Sequence, residues 1–338
     1  MADGAIERYK ARLVAKGFTQ REGISFFQTF SPVIGFDVMR TVLATAAHNV
    51  WDIGLLDFTQ AYLNASLEEA VWLENPDGSI VKARKAIYGL KQSALEWYKE
   101  LRGAILEAGW SSSHHHQCLY YRRSDDGCLA IMLTYVDDCL LTGDYAEEIE
   151  RMRTQLLGKY KGRDLGTPEK MVGVTIRVDE MGTTLHQQRF AQSIVIDGMG
   201  SMDVHTASSS LDPGMDLTAR QNKEELDTTR CPYANILGNL MFLAVMTRPD
   251  LSNSVRELTR RAASPCVHQR RGLQHVLRYL AGTTSIGLHY PRGLNNDRRR
   301  LLAGYADSDL ADDWETRRSV TGYLLLFNGS PIVWRLKF

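Results

Sequence analysis

The stretch "AIMLTYVDDCLLTGD", from Ala130 to Asp144, decides how this sequence is interpreted. Two adjacent acids, Asp137 and Asp138, lie between two apolar runs, a pattern typical of a tight β-hairpin with the acids at its bend. Burying neighbouring carboxylates is costly unless a cation compensates their charge. The pattern therefore leaves two interpretations: a surface hairpin with solvated acids, or a site that holds a cation.

A third acid, Asp57, follows the apolar run 53–56 at the end of a predicted strand. At a hairpin bend two adjacent side chains can lean toward one neighbour, although on a straight strand they face opposite ways. If the strand of Asp57 lies beside the hairpin, three carboxylates converge, and carboxylate oxygens suit Mg²⁺. Two such ions about 3.5–4 Å apart would clamp the attacking and leaving oxygens of a phosphoryl transfer.

Length and composition indicate a globular protein of two or three domains: 338 residues, 44% hydrophobic and 24% charged. The formal net charge is zero, so the charge of the whole chain does not indicate a nucleic-acid partner. No apolar stretch reaches the roughly 20 residues that span a bilayer, and the N-terminus has no apolar signal core. We therefore expect a soluble intracellular protein, cytoplasmic and without a membrane partner.

The cysteines do not suggest a disulfide framework or a zinc site. Their number is odd, their spacing is wide and none forms a C-x-x-C pair, which favours reduced thiols inside a cell. The run 114–116 consists of three histidines, but consecutive side chains point in different directions and seldom converge on one ion. The cysteines are Cys118, Cys128, Cys139, Cys231 and Cys266.

The hydrophobic pattern predicts alternating helices and strands. Helical periodicity marks 36–51, 93–110 and 145–160, with Ser93 and Glu96 as a capping box for the second helix. Hairpins are expected at 118–144 and near Met181-Gly182. The resulting order of strand, helix, strand, strand, helix and strand indicates a sheet with helices on one face. The last apolar strand before Phe338 looks like a domain cut short.

A local excess of positive charge lies in the C-terminal third. From Arg256 to Arg300 there are ten arginines against two acids, Glu257 and Asp297. Such a patch can meet a phosphate backbone, and it is equally typical of a solvated helical face.

Longer blocks of the sequence resemble a known family. These blocks are "YKARLVAKGFTQREGISFFQTFSPV", "LLDFTQAYLNASLEEAVWLENPDG", "KAIYGLKQSALEWYKEL", "LTYVDDCLLTG", "LGNLMFLAVMTRPDLSNSV" and "HVLRYLAGT". In order and spacing they are similar to the reverse transcriptase of copia-type LTR retrotransposons. The resemblance covers nearly the entire chain, which looks like a fragment of the pol polyprotein.

The resemblance implies an α+β right-hand polymerase of fingers, palm and thumb, whose ferredoxin-like palm sheet carries helices on one face, followed by a truncated RNase H-like α/β segment. The implied domains are fingers and palm at 1–187, a helical, Arg-rich thumb or connection at 188–300, and the first RNase H-like strands at 301–338. The implied cofactor is two Mg²⁺ ions, replaceable by Mn²⁺, and the implied partners are an RNA or DNA template-primer and dNTPs. No oligomeric state is implied.

The family's site maps onto individual residues of this sequence. Asp57, Asp137 and Asp138 match the palm carboxylates and metal ligands, with Asp138 the least direct. Tyr62 matches the aromatic residue under the incoming sugar, whose ring excludes a 2′-hydroxyl, although an ordinary core tyrosine fits the same position. Gln92 matches a glutamine that contacts the nucleotide and supports the template, although it could equally be a polar residue at a helix N-terminus.

Other positions are implied by the same resemblance. Lys10 and Arg12 belong to the fingers block and would hold the triphosphate. The segment from Met171 would grip the primer end, and the arginines after Arg256 would follow the duplex without sequence preference. Asp307 matches the first RNase H carboxylate, and the remaining acids of that site are expected beyond this chain.

The sequence also departs from the family. It opens in the middle of the fingers region, Ala65 and Ala94 stand where Gly and Pro are usual, and His116-Gln117 stand where Asp-Pro is frequent. The leading hypothesis is an RNA-directed DNA polymerase domain, and the alternative is an inactive retroelement remnant that at most binds nucleic acid. A two-metal nuclease would not account for Tyr62 and Gln92.

Overall fold

The computed structural model describes residues 13–212, 214, 232–293, 301–310 and 317–337. The fold is mixed α/β with several sheets. The chain divides into two compact units. The first consists of Met1–Gly35 and Asp52–Thr167, and the second of Phe36–Trp51 and Pro168–Phe338.

The described elements are numbered in chain order, and three short 3-10 turns lie at Gly17–Thr19, Ala61–Asn64 and Pro249–Leu251. The helices are α1 (Phe36–Asn49), α2 (Ser93–Glu107), α3 (Ala146–Lys159), α4 (Gln188–Met199), α5 (Tyr233–Met246), α6 (Ser252–Thr259) and α7 (Val267–Gly282). The strands are β1 (Ile53–Phe58), β2 (Ser66–Glu74), β3 (Ile80–Lys85), β4 (Ser111–Ser112), β5 (Leu119–Arg123), β6 (Leu129–Tyr135), β7 (Asp138–Gly143), β8 (Gly162–Asp164), β9 (Lys170–Met171), β10 (Val174–Asp179), β11 (Gly182–His186), β12 (Leu288–Pro291), β13 (Leu302–Ser308), β14 (Thr321–Phe327) and β15 (Ser330–Lys337).

The first unit is built on a six-stranded antiparallel sheet in the order β4-β5-β6-β7-β1-β8. Along the chain, β1, α2, β6, β7, α3 and β8 follow a β-α-β-β-α-β pattern, and their strands lie in the order β6-β7-β1-β8. This is the split β-α-β arrangement of a ferredoxin-like motif. The strands β2 and β3 form a separate hairpin.

Helices α2 and α3 cover one face of this sheet. Alternate side chains of each strand point to that face and pack against the helices. Leu56 and Phe58 of β1 join the same buried cluster as Trp97 of α2 and Leu156 of α3. The rings of Phe58, Trp97 and Tyr160 meet edge to face, with centroids 5.1–5.8 Å apart. The intervening side chains of β1 therefore point away from the helices.

The predicted helices and both hairpins are confirmed, but the predicted cap of α2 is wrong. Ser93 is the first helical residue rather than the residue before it, and no side chain caps this helix end. The Ser93 hydroxyl instead donates to the Ile87 carbonyl at 2.6 Å. Glu96 pairs with Lys99 at 3.2 Å. The carbonyl of Ile87, in the loop before the helix, therefore takes up the hydroxyl that the capping box would use.

The second unit combines a four-stranded sheet, in the order β12-β11-β10-β9, with a three-stranded sheet β13-β14-β15. Helices α4 to α7 share a second buried cluster, which includes Ile194, Leu240, Leu258 and Leu277. Helix α1 belongs to this unit, and its apolar stripe is buried as its spacing predicts.

Arg40 fixes α1 within the second unit. Its side chain is buried and donates to three carbonyls, those of Ile332 (2.7 Å), Val245 (2.8 Å) and Met246 (3.1 Å). The guanidinium also stacks over the ring of Trp334, 3.9 Å from its centroid. Burial lowers the pKa of Arg40 to about 10, which still leaves the side chain charged at neutral pH.

No helix within the described parts of the chain is long and apolar enough to cross a membrane. The division of the chain into fingers and palm, thumb or connection, and RNase H-like strands, with boundaries at 187 and 300, stays a prediction.

Candidate active site

Asp57 and Asp138 are direct partners across neighbouring antiparallel strands. In the β1–β7 ladder, Asp57 is opposite Asp138 and Leu55 is opposite Leu140. Directly opposed residues project from the same face with Cβ atoms about 4.5–5.5 Å apart. Both acids therefore lie on the face of the sheet opposite α2 and α3, and Asp137 immediately precedes Asp138 in the turn.

The turn that carries Asp137 is tightly anchored. Val136 adopts a φ of 56°, which is rare for a β-branched residue and persists only where its surroundings impose it. The Trp97 indole donates to the Val136 carbonyl at 2.5 Å, and the Phe58 amide donates to the Asp137 carbonyl at 2.9 Å. These two contacts link the turn to α2 and β1, so the acids stand on a rigid support.

The electrostatics of the site are unfavourable for three ionised carboxylates. The pKa of Asp138 is raised from 3.8 to about 6, first by burial and then by the negative charges of Asp137 and Asp57. Like charges on opposed strand positions destabilise a sheet. The fold tolerates this cost at the site, which is typical of a functional position.

Arg163 supplies a counter-charge to Asp57. In the β1–β8 ladder Asp57 is opposite Arg163, and the Arg163 Nη2 atom lies 2.9 Å from the Asp57 Oδ2 atom. The Arg163 side chain is 67% exposed and that of Asp57 is 26% exposed. The three strands thus place Asp138, Asp57 and Arg163 side by side in one row.

Across the described ranges, no three His, Cys, Asp or Glu side chains are arranged to hold a metal ion as they stand. The donor set nevertheless fits a hard cation, because it consists of carboxylate oxygens on neighbouring positions, and the pKa of one of them, Asp138, is raised by burial and by the charges of the other two. One of the three carboxylates, that of Asp57, is engaged by Arg163.

Tyr62 lies in the 3-10 turn that follows β1, half-buried against the core of the first unit. Its ring packs on that of Tyr88, with centroids 4.7 Å apart and planes inclined by 46°. Burial raises the pKa of Tyr62, and the nearby charge of Asp137 raises it further. The structure therefore brings Tyr62 close to Asp137.

Gln92 is 1% exposed, and its amide is fully engaged. Its oxygen accepts from Gln20 Nε2 at 2.9 Å, and its nitrogen donates to the Ser25 carbonyl at 3.1 Å. Gln20 in turn accepts from the Lys91 amide at 2.8 Å. The glutamine thus ties the start of α2 to the segment 20–25, and a direct contact with a nucleotide stays a prediction.

The remaining predicted site residues lie either outside the described residues or in the second unit. Lys10 and Arg12 lie outside the described residues. Asp307 belongs to the second unit, where it is exposed on β13 and lines a cavity of about 650 Å³. The segment from Met171 forms β9, β10 and β11, as the predicted hairpin requires.

In the Arg-rich region, some arginines are paired with an acid and others are exposed on a helix. Arg256 and Arg260 both pair with Glu257. Arg270 and Arg271 are exposed on α7. The run 298–300 lies outside the described residues.

Sequence reasoning did not identify Arg163 and Tyr88. Arg163 stands on β8, a three-residue strand whose pairing with β1 no hydrophobic pattern reveals. Tyr88 lies in the block "KAIYGLKQS", in which the resemblance assigns a role to Gln92 and none to the tyrosine. The two cations in the short segment that follows α3, Lys161 and Arg163, are the signal that could have drawn attention to this position.

Comparison with known proteins identifies the protein family. The family model for reverse transcriptase (RNA-dependent DNA polymerase) matches residues 2–208, and the chain belongs to this family. The particular members that it resembles are Pol polyproteins of copia-type transposons. It is 31% identical over 99% of its length to the Retrovirus-related Pol polyprotein from transposon TNT 1-94 of Nicotiana tabacum, covering 26% of that protein. It is 33% identical over 99% of its length to that from transposon RE1 of Arabidopsis thaliana, covering 23%.

The chain thus spans about a quarter of the length of the curated relatives that it matches. Among solved structures, the foamy viral protease-reverse transcriptase in complex with double-stranded DNA matches at 13% identity and a TM-score of 0.48. That match covers 90% of this chain and 46% of the other. The family assignment does not depend on it.

Proposed function

We propose that the first unit is the palm and part of the fingers of an RNA-directed DNA polymerase. The reaction is attack by a primer 3′-hydroxyl on the α-phosphate of a dNTP, with release of pyrophosphate. The observation that carries the proposal is the pairing of Asp57 with Asp138 across β1 and β7, next to Asp137, on a β-α-β-β-α-β sheet. Membership of the reverse transcriptase family supports it.

The three carboxylates would hold Mg²⁺ or Mn²⁺, with Asp57 and Asp137 as the main ligands and Asp138 less direct. Two such ions, when bound, supply charge stabilisation to the attacking and leaving oxygens of the transfer. The chain's own contribution is positioning: Asp57 and Asp138 stand on paired strands, and the Trp97 indole braces the turn of Asp137.

Tyr62 would lie under the sugar of the incoming nucleotide and exclude a 2′-hydroxyl. Its proximity to Asp137 supports this role, because the sugar and the metal-bound triphosphate belong to one substrate. Gln92 would support the template through Gln20 and the segment 20–25, to which it is hydrogen-bonded. Lys10 and Arg12 are proposed as triphosphate ligands on the family resemblance alone.

Within the second unit, residues 188–300 would supply the thumb or connection and residues 301–338 the start of an RNase H-like segment. Arg270 and Arg271 are exposed on α7 and would follow the duplex backbone by charge. The hairpin β10–β11 would grip the primer end, and Asp307 would be the first RNase H carboxylate. The partners of the whole protein would be a template-primer of RNA or DNA.

Primer extension on poly(rA)/oligo(dT) with Mg²⁺ tests the polymerase proposal. We expect the purified chain to extend the primer and Asp137→Asn to abolish extension, since it removes a proposed metal ligand. Asp126→Asn provides the matched control, because Asp126 is exposed in the turn between β5 and β6.

The alternative, an inactive remnant that binds nucleic acid, makes a different prediction. The chain would then extend no primer, and Asp137→Asn would bind template-primer as the unchanged chain does. Extension that survives Asp137→Asn would contradict the proposed role of this acid.

A further inference from the structure

The row of Asp138, Asp57 and Arg163 on three neighbouring strands is the feature from which this inference starts. Asp57 is the middle member, so its carboxylate faces a like charge on β7 and an opposite charge on β8. The Arg163 guanidinium donates a hydrogen bond to the Oδ2 oxygen of Asp57 at 2.9 Å. A divalent ion bound by Asp57 and Asp137 would need oxygens of this same carboxylate.

The strand that carries Arg163 does not depend on this ion pair. Neighbouring Asp164 pairs with Arg153 of α3 at 2.9 Å. Leu55 exchanges two backbone hydrogen bonds with the residues after β8, donating to the Gly166 carbonyl and accepting from the Leu165 amide. These contacts fix β8 in place, so the Arg163 side chain can leave Asp57 without loss of the strand.

The strength of the pair also allows exchange. Arg163 is 67% exposed, and ion pairs with an exposed member contribute little because water screens them and the side chain loses entropy. A divalent cation interacts with a carboxylate cluster more strongly than a single exposed guanidinium does. The pair is therefore strong enough to orient Asp57 and weak enough to be displaced.

We propose that Arg163 is the built-in counter-cation of the carboxylate site, which holds Asp57 in the metal-free chain and is displaced from it when a divalent ion binds. Arg163 is thus a positioning residue that sets the metal affinity of the site. This inference rests on the proposed function, since it assumes that the acids bind metal.

Mn²⁺ binding to the full chain without nucleic acid tests it, with free Mn²⁺ counted by electron paramagnetic resonance. Arg163→Gln removes both the competing pair and the repulsion of the ion, so we expect Mn²⁺ to bind about three- to tenfold more tightly. Arg163→Lys keeps the charge and should retain the unchanged affinity. Lys159→Gln is the matched control, because Lys159 also pairs with a carboxylate, that of Glu100, at 3.2 Å in the same unit.

The possible outcomes separate the inference from the proposed function. If Arg163→Gln binds Mn²⁺ no more tightly than the unchanged chain while Asp57→Asn weakens binding, the role of Arg163 is wrong and the metal site stands. An equal gain in Lys159→Gln would show a general charge effect and also overturn the inference. If Asp57→Asn and Asp137→Asn both leave Mn²⁺ binding unchanged, the proposed metal site itself fails. Circular dichroism of each variant checks that it is folded.

Discussion

Replacing Asp138 with asparagine should stabilise the metal-free protein in a pH-dependent way. The native pKa of Asp138 is about 6, raised from 3.8 by burial and by the charges of Asp137 and Asp57. Between these two values the native state holds a proton that the unfolded state has released, so stability falls as the pH rises. Asparagine carries no charge and removes this penalty.

The size of the effect follows from the shift. The pKa of Asp138 rises by about two units, and at about 1.36 kcal/mol per unit this sets a ceiling of ~3 kcal/mol on the gain in unfolding free energy. Solvent reaches this half-buried carboxylate and screens its repulsion, so we expect a gain of about 1–2 kcal/mol. The gain should be near zero at pH 4, grow between pH 4 and 6, and stay constant above pH 6.

Urea denaturation in the presence of a chelator measures this gain as a difference in unfolding free energy between the variant and the unchanged chain. Hydrogen exchange of the β1 and β7 amides shows whether the change lies in the first unit. Asp126→Asn, in an exposed turn, controls for the loss of a surface charge. Adding Mg²⁺ should narrow the difference, because a bound ion compensates the charge of Asp138.

A gain of the same size at pH 4 and pH 8 would refute the reasoning, because it would show that asparagine acts through packing rather than charge. A loss of stability at pH 8 would refute it as well, since it would mean that the ionised carboxylate is well compensated in the metal-free fold.

Three further changes have defined outcomes. Tyr88→Leu removes the ring on which Tyr62 packs, and in single-nucleotide incorporation it should raise the use of ribonucleotides relative to deoxynucleotides up to about tenfold; an unchanged ratio beside a raised ratio in Tyr62→Val would contradict this role. Arg40→Met removes the donor to three carbonyls, two of which, those of Met246 and Ile332, are buried, and should lower the free energy of thermal unfolding by about 3 kcal/mol, whereas a loss below about 1 kcal/mol would show that water replaces the guanidinium. Trp97→Phe deletes the indole donor to the Val136 carbonyl and should speed hydrogen exchange in β6 and β7 by destabilising the turn by about 1–2 kcal/mol, and unchanged exchange would show that the turn is held without it.

Much of the first unit was predictable because its signals are local. The apolar flanks of Asp137 and Asp138 specify a hairpin, and the periodicity of 93–110 specifies a helix with one buried face, both of which the structure confirms. The cap at Ser93 was wrong, since a capping box describes only neighbours in sequence and the Ile87 carbonyl competes from outside the helix.

The environment of the acids was less predictable because it depends on contacts between residues far apart in the chain. The hydrogen bonds of Gln92 with Gln20 and Ser25 join residues about 70 positions apart in the sequence. Arg163 is 106 residues from Asp57, and only the pairing of β8 with β1 brings them together.

The sequence by itself determined the family, the hairpin and the positions of the three acids at the hairpin and at the end of β1. Long blocks of matched residues and the alternation of apolar and polar side chains are local properties that can be recognised without the fold. The tertiary structure decided which charges meet. Strand register places Asp57 opposite both Asp138 and Arg163, and that register depends on how distant segments pair in one sheet. The pKa of Asp138 and the ion pair of Asp57 follow from this pairing, because electrostatic interactions depend on distance and burial in space.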